Sequence, residues 1–239
     1  MLTLALDTAL DACAVALLRD GRILAAVTRD IGRGHAEVLM AVVAEALAAA
    51  GGLRIKDCDR FGVTVGPGSF TGIRVGLAAA RGFGLAAGRP VVPVTTLEAI
   101  AADAAGSTDP QAPILVALDA RRGEVYAGLF AAAPGSEPVP LSAPAALPLA
   151  EAAALAVRAG AVLAGSGAAL VAAAAPSPLR ILGEARYPRV ETVARLAAAR
   201  PAPGRPPGPV YLRAADAKPQ EGFRIPRAPE AGAPAHARP

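Results

Sequence analysis

Along this chain the hydrophobic positions switch between a period of two and a period near 3.6, and each change of period marks an element. Leu2, Leu4 and Leu6 alternate with Thr3, Ala5 and Asp7, the period of a β-strand, and Asp7 falls where that strand ends. Ala12 to Leu18 and Ile23 to Arg29 read as two more strands around Asp20-Gly21, a strong signal for a tight hairpin. The period then changes. Val38, Leu39, Val42, Val43, Ala46, Leu47 and Ala50 form an i, i+3/i+4 stripe that begins after Gly34 and stops at Gly51-Gly52, which predicts an amphipathic helix with a glycine stop. Phe61 to Val65 is a short apolar strand, Gly72 to Ala87 a second helix, Val91 to Val94 a strand, and Leu97 to Ala105 a third helix.

About 112 residues after its first appearance the opening pattern returns, with Val116-Ala117-Leu118-Asp119 standing for Leu4-Ala5-Leu6-Asp7. Arg121-Arg122-Gly123 makes the turn and Glu124 to Ala131 the next strand. Ala161 to Ala164 then runs into Gly165-Ser166-Gly167, much as Val63 to Val65 runs into Gly66-Pro67-Gly68. Two lobes on one plan follow, the second shorter and less regular. The division expected is residues 1–106, residues 107–215, and a flexible, basic, proline-rich tail over residues 216–239. After Pro201 only Val210-Tyr211-Leu212-Arg213 resembles an ordered segment.

Composition narrows the chemistry. A hydrophobic fraction of 54% with 3% aromatics predicts a core of small side chains and close backbone approaches. The net charge of +4 sits in the tail, where residues 200–239 carry seven basic and three acidic side chains, so the body is neutral and lacks a dedicated duplex-binding surface. The N-terminus lacks the basic region of a signal peptide, and no apolar run is long enough to span a bilayer, so no membrane association and a cytoplasmic location are expected. Cys13 and Cys58 read as buried free thiols.

Gly66-Pro67-Gly68-Ser69-Phe70-Thr71-Gly72 joins a strand to a helix. With Thr71 as N-cap and Phe70 and Val75 as a hydrophobic staple, the turn either offers free N–H groups to an anion or is only a tight connection. No Walker lysine follows it. Asp7 and Asp119, each ending the first strand of a lobe, either hold a cation–phosphate complex across a cleft or cap turns. The anion or nucleotide set is therefore Asp7, Gly68, Ser69, Thr71 and Asp119, with no cofactor or metal expected otherwise. Gly72, Gly76, Ala80, Gly84 and Gly88, at steps of four, form a nearly bare stripe that packs either on a partner helix or inside the lobe. The only two histidines, His35 and His236, make no metal-ligand pair, no nucleophile elbow occurs, and no catalytic residue is assigned.

The chain resembles the TsaB (YeaZ) family in Leu4-Ala5-Leu6-Asp7-Thr8 with Ala12 to Leu17, in Gly34-His35-Ala36-Glu37, in Gly66 to Gly76, and in Pro209-Val210-Tyr211-Leu212-Arg213. That resemblance implies an α/β fold of the actin-like, Hsp70-like (ASKHA) kind, with two duplicated lobes of mixed sheet and flanking helices. It also implies a non-catalytic subunit of the machinery that places threonylcarbamoyl on N6 of the adenosine beside the anticodon of tRNAs reading ANN codons. Its partners would be the catalytic subunit TsaD and the ATPase TsaE, with a homodimer in isolation and tRNA met only through the complex. The partner interface so implied is His35, Val38, Leu39, Val42, Val43 and Ala46 of one helix with Gly72, Gly76, Ala80 and Gly84 of the other. The alternative from the enzyme class is an ATP-dependent kinase of the same fold using Asp7 and Asp119.

Overall fold

The computed structural model describes residues 1–107 and 112–213. The tail expected over residues 216–239, and His236 with it, lie outside the described residues.

The strand periods build two sheets of one design. In the first, β1 (Leu2–Asp7), β2 (Ala12–Arg19) and β3 (Arg22–Asp30) form an antiparallel meander. Both residues of its hairpin turn, Asp20 (φ 47°) and Gly21 (φ 83°), are left-handed, as a two-residue turn matching strand twist requires. β4 (Arg60–Thr64) joins β1 in parallel and β5 (Val91–Val94) joins β4, giving the order β3-β2-β1-β4-β5. The second sheet repeats this. β6 (Ile114–Asp119) pairs antiparallel with β7 (Glu124–Ala131) and parallel with β10 (Val162–Ala164), which pairs with β11 (Ile181–Gly183). Two short strands, β8 (Val139–Pro140) and β9 (Ala145–Pro148), stand where β3 stands in the first sheet. The predicted internal repeat is therefore a structural one, and the fold is of the actin-like kind.

The helices follow the 3.6 period. α1 (His35–Ala49) and α2 (Phe70–Ala87) lie side by side on one face of the first sheet, where Leu39, Val42, Ala46, Leu77 and Ala80 join Leu4, Leu6 and Phe61 in one core. Their counterparts are α4 (Leu149–Ala159) and the six-residue α5 (Ala168–Ala173). Ser69, not Thr71, caps α2: its backbone is extended and its hydroxyl accepts the Gly72 N–H at 3.2 Å, while Phe70 and Thr71 already lie inside the helix.

The third helices are exchanged between lobes. α3 (Thr96–Ala104) starts at a capping box in which Thr95 and Glu98 each accept the other's N–H. It follows the first sheet but packs Leu97 and Ile100 on Ile114, Val116 and Phe130 of the second. α6 (Val190–Ala199) follows the second sheet but packs Val193, Ala194 and Ala197 on Ala5, Ala14 and Ala16 of the first. Arg60 fixes the end of α6 by donating to the carbonyls of Ala197, Ala198 and Arg200 at 2.9, 3.2 and 2.6 Å. Arg200, largely buried, joins the capping-box carboxylate Glu98 at 2.8 Å and the Pro93 carbonyl at 2.8 Å. After α6 the chain continues without helix or strand as a strap from Pro201 to Arg213, which sends the Val210 N–H to the Val65 carbonyl at 2.7 Å.

The contact between α6 and β4 has no slack, because a Cβ on Gly62 would lie 2.6 Å from the Cβ of Ala197. Gly62→Ala is therefore expected to lower stability by about 1–3 kcal/mol through overpacking, as measured by urea unfolding. Adding Ala197→Gly should recover part of that loss, although glycine in a helix itself costs about 1 kcal/mol.

Candidate functional site

The C-terminal ends of β1 and β4 meet the start of α2, and the loop between β1 and β2 fills the space between them. Thr8 donates its hydroxyl to the Gly72 carbonyl at 2.7 Å, and the Ser69 N–H is bonded to the Ala9 carbonyl at 2.7 Å. Side chains are absent from α2 here because there is no room for them. A Cβ on Gly68 would stand 2.1 Å from the Ala9 carbonyl oxygen, one on Gly72 2.1 Å from the Thr8 carbonyl oxygen, and one on Gly76 2.4 Å from the Thr8 hydroxyl. The loop is held from its other side too: the carbonyl of Leu10 accepts from His35 Nε2 at 2.8 Å, and that of Asp11 from the N–H groups of Ile31 and Gly32.

Asp7 lies beneath this loop, wholly buried. Its Oδ1 accepts the Thr64 hydroxyl at 2.6 Å and the Ala9 N–H at 3.1 Å, while Oδ2 is buried without a partner. Burial pushes its pKa up to about 6, against the opposing pull of the Thr64 and Ala9 bonds and of His35. In the second lobe the Gly165 turn is filled in the same manner. The Gly167 N–H goes to the Ala117 carbonyl at 2.9 Å, and the Ser166 hydroxyl accepts from the Asp119 N–H at 3.2 Å. Asp119 accepts the Arg121 N–H at 2.8 Å and pairs with its guanidinium at 3.5 Å.

Between the lobes remains a cleft of about 240 Å³, lined by Asp11, Gly68, Ser69, Asp119, Arg121 and Tyr126. Gly68, Ser69 and Asp119 of the predicted anion set reach it; Asp7 and Thr71 do not line it. An actin-like fold implies a nucleotide across this cleft. The residues present do not fit one: the chain's own carbonyls take the turn's Ser69 N–H and the space beside its glycines, one carboxylate is sealed under a loop, and the other is paired to Arg121. Among the described residues no group of His, Cys, Asp and Glu is placed to hold a metal ion, and Cys13 and Cys58 are free and buried.

The predicted interface stripes point inward. His35, Leu39, Val42, Val43 and Ala46 of α1 and Gly72, Gly76, Ala80 and Gly84 of α2 are buried within the chain itself, and Val38 is half-buried. His35, expected at the surface, is drawn in by the Leu10 carbonyl. The faces left open are the opposite ones, with Met40, Ala44 and Ala48 on α1 and Ala78, Gly82 and Leu85 on α2. Met40 is 56% and Leu85 87% exposed, and a Cβ on Gly82 would meet nothing. The spacing of Ala78, Gly82 and Ala86 was a second small-residue stripe in the sequence, masked by the richer one beside it.

Fold and site together define a two-lobed, actin-like protein whose glycine turns beside the inter-lobe cleft are filled by its own backbone and whose two neighbouring helices present a small, apolar outer face. The family model described as TsaD, tRNA N6-adenosine threonylcarbamoyltransferase, matches residues 26–162, more than half of the chain. A crystal structure described as an uncharacterized protein with similarity to peptidase YeaZ from Pseudomonas aeruginosa is 32% identical, with a TM-score of 0.76 over 89% of this chain and 99% of that one. YeaZ from Pseudomonas aeruginosa is 31% identical, with a TM-score of 0.68 over 82% and 90%. The tRNA threonylcarbamoyladenosine biosynthesis protein TsaB of Escherichia coli is 38% identical over 126 residues, 53% of each chain. That of Haemophilus influenzae is 41% identical over 123 residues, 52% of this chain and 51% of its own. The chain thus spans about half the length of the curated relatives it matches. It belongs to this family, on its TsaB (YeaZ) side. Among the described residues no helix is long and apolar enough to cross a membrane.

Because Asp7 is protonated in the folded chain up to a higher pH than in the unfolded one, its contribution favours folding below about pH 4 and is lost as pH rises through about 6. Asp7→Asn keeps an oxygen acceptor for Thr64 and Ala9 without a charge to bury. It is expected to flatten the pH dependence between those values and to raise stability at pH 7 by on the order of 2 kcal/mol, read from urea unfolding at a series of pH values.

Proposed function

We propose that this chain is a non-catalytic scaffold subunit of the complex that transfers threonylcarbamoyl to N6 of the adenosine beside the anticodon in tRNAs reading ANN codons. The observation that carries this reading is the filling of both glycine turns beside the cleft by the chain's own backbone. A chain of this family whose phosphate-side turns hold its own Thr8, Ala9 and Ala117 carbonyls has its chemistry supplied by another subunit. The kinase alternative needs Asp7 and Asp119 around one ion, whereas Asp7 is sealed beneath the β1–β2 loop and does not line the cleft that Asp119 reaches.

The partner in this reading is a TsaD-type subunit, with a TsaE-type ATPase joining the assembly and a second copy of this chain taking the partner's place in isolation. It docks on the outer face of α1 and α2. Alanines and Gly82 at spacings of four let a facing helix approach closely, and Met40 supplies apolar area that water otherwise covers.

Substitution of the buried stripe is no test of this surface, because a side chain on Gly76 collides with Thr8 and disturbs the fold. Ala78→Glu places a charge on the exposed face and touches nothing inside. It is expected to reduce co-purification with TsaD at least tenfold and to leave the thermal melting curve unchanged. Retained co-purification with TsaD would move the interface elsewhere.

A further inference from the structure

The strap from Pro201 to Arg213 runs antiparallel along one flank of α2. Pro203 to Pro206 stand beside Gly84 to Pro90, the Pro207 carbonyl accepts from Arg81, and Tyr211 reaches the first turn of α2. Five arginines edge this seam: Arg74, Arg81 and Arg89 from α2 and the residues after it, and Arg205 and Arg213 from the strap. Among the described residues two carboxylates answer them, Asp59 at 3.8 Å from Arg89 and Glu124 beside Arg213. Arg74 and Arg81 bond to neutral acceptors, the Tyr211 hydroxyl at 2.9 Å and the Pro207 carbonyl, so their charge is not cancelled there.

Two further features accompany the charge. Between the strap and the second half of α2 lies a groove of about 760 Å³, lined by Arg81, Arg89 and Arg205 with the exposed side chain of Leu85. At the other end of the seam Phe70 and Tyr211 stack with centroids 5.2 Å apart, and the Arg74 guanidinium lies 3.6 Å from the Phe70 centroid. Phe70 is 47% and Tyr211 42% exposed in a chain that has very few aromatic side chains. The groove begins at Arg81, so at the helical rise of about 1.5 Å per residue it starts about 16 Å along α2 from the stack at Phe70.

We infer that this seam is an RNA-binding surface: Arg81, Arg89 and Arg205 take backbone phosphates of a loop or single strand, and the Phe70–Tyr211 stack takes an unpaired base. An acidic peptide would answer the arginines but leave the half-exposed rings without a use; RNA supplies the anionic backbone and the π-faces together. The inference deepens the proposed function and rests on it for the identity of the RNA as a tRNA, which this chain then touches itself and not only through its partner. The seam borders the outer face of α2, so RNA here lies beside the docked subunit.

The test is fluorescence anisotropy of a labelled tRNA transcript with the full-length chain alone, across a salt series. Arg205→Ala is expected to weaken binding and to reduce the slope of log K against log salt by about 0.7–1, one phosphate contact. Tyr211→Ala should weaken binding about tenfold without changing the slope, and Tyr211→Phe should retain it. Affinity and slope unchanged in all three variants would place RNA binding in the tail and overturn the inference. So would competition by polyglutamate as effective as by unlabelled tRNA. Co-purification of each variant with TsaD is measured in parallel, so that loss of RNA binding with the partner retained is distinguished from failure of the scaffold reading.

Discussion

The structure depends most on the close approach of α2 to the backbone of Thr8 and Ala9. Three consecutive positions of a four-residue stripe, Gly68, Gly72 and Gly76, lack a Cβ because carbonyl and hydroxyl oxygens of that loop already occupy the space. The contact fills the turn on the first-lobe side of the cleft and seals Asp7 beneath it. It also sets the height of α2 above the sheet, and therefore which face of that helix stays exposed. The helix loses intrinsic stability to its glycines and regains it from the Ser69 cap, the Thr8 hydroxyl bond and the apolar contacts of Leu77 and Ala80.

A second constraint ties the two lobes into one body. Each sheet buries its inner face with a helix that belongs, in sequence, to the other lobe, so neither lobe completes its core alone. The carbonyls at the end of α6 are met in place by Arg60, and Arg200 links that end to the capping box of α3 through Glu98. Such satisfaction of buried helix ends is what allows two small-residue helices to sit at the centre of the molecule. The strap continues from α6 and crosses to the outer flank of α2, so the inner packing and the exposed cationic seam belong to one continuous segment.

What could be read from residues alone was what is local in sequence. Strand and helix periods, the Asp20-Gly21 hairpin, the repeat of Leu4–Asp7 in Val116–Asp119 and the family motifs are short-range patterns. Each was read correctly because alternation and 3.6 spacing are imposed by backbone geometry within a few residues. The helix cap shifted from Thr71 to Ser69 because a cap depends on which residue leaves the extended region first, a choice tertiary contacts make.

The direction of the glycine stripe was the matter that sequence could not settle. A run of small residues states that something comes close, but not whether it is another helix or the chain's own loop 64 residues away, and Thr8 carries no local mark of that contact. The sequence by itself determined the two-lobed plan, the elements of the first lobe with the strands that open the second, and the family. Only the tertiary structure decided that the phosphate-like turn is filled from within, that Asp7 is enclosed and Asp119 paired, and that the small-residue stripe of α2 faces inward, leaving the outer side of α1 and α2 exposed. The physical reason is that periodicity acts between neighbours, whereas exclusion of one backbone by another acts between segments that meet only when the chain is folded.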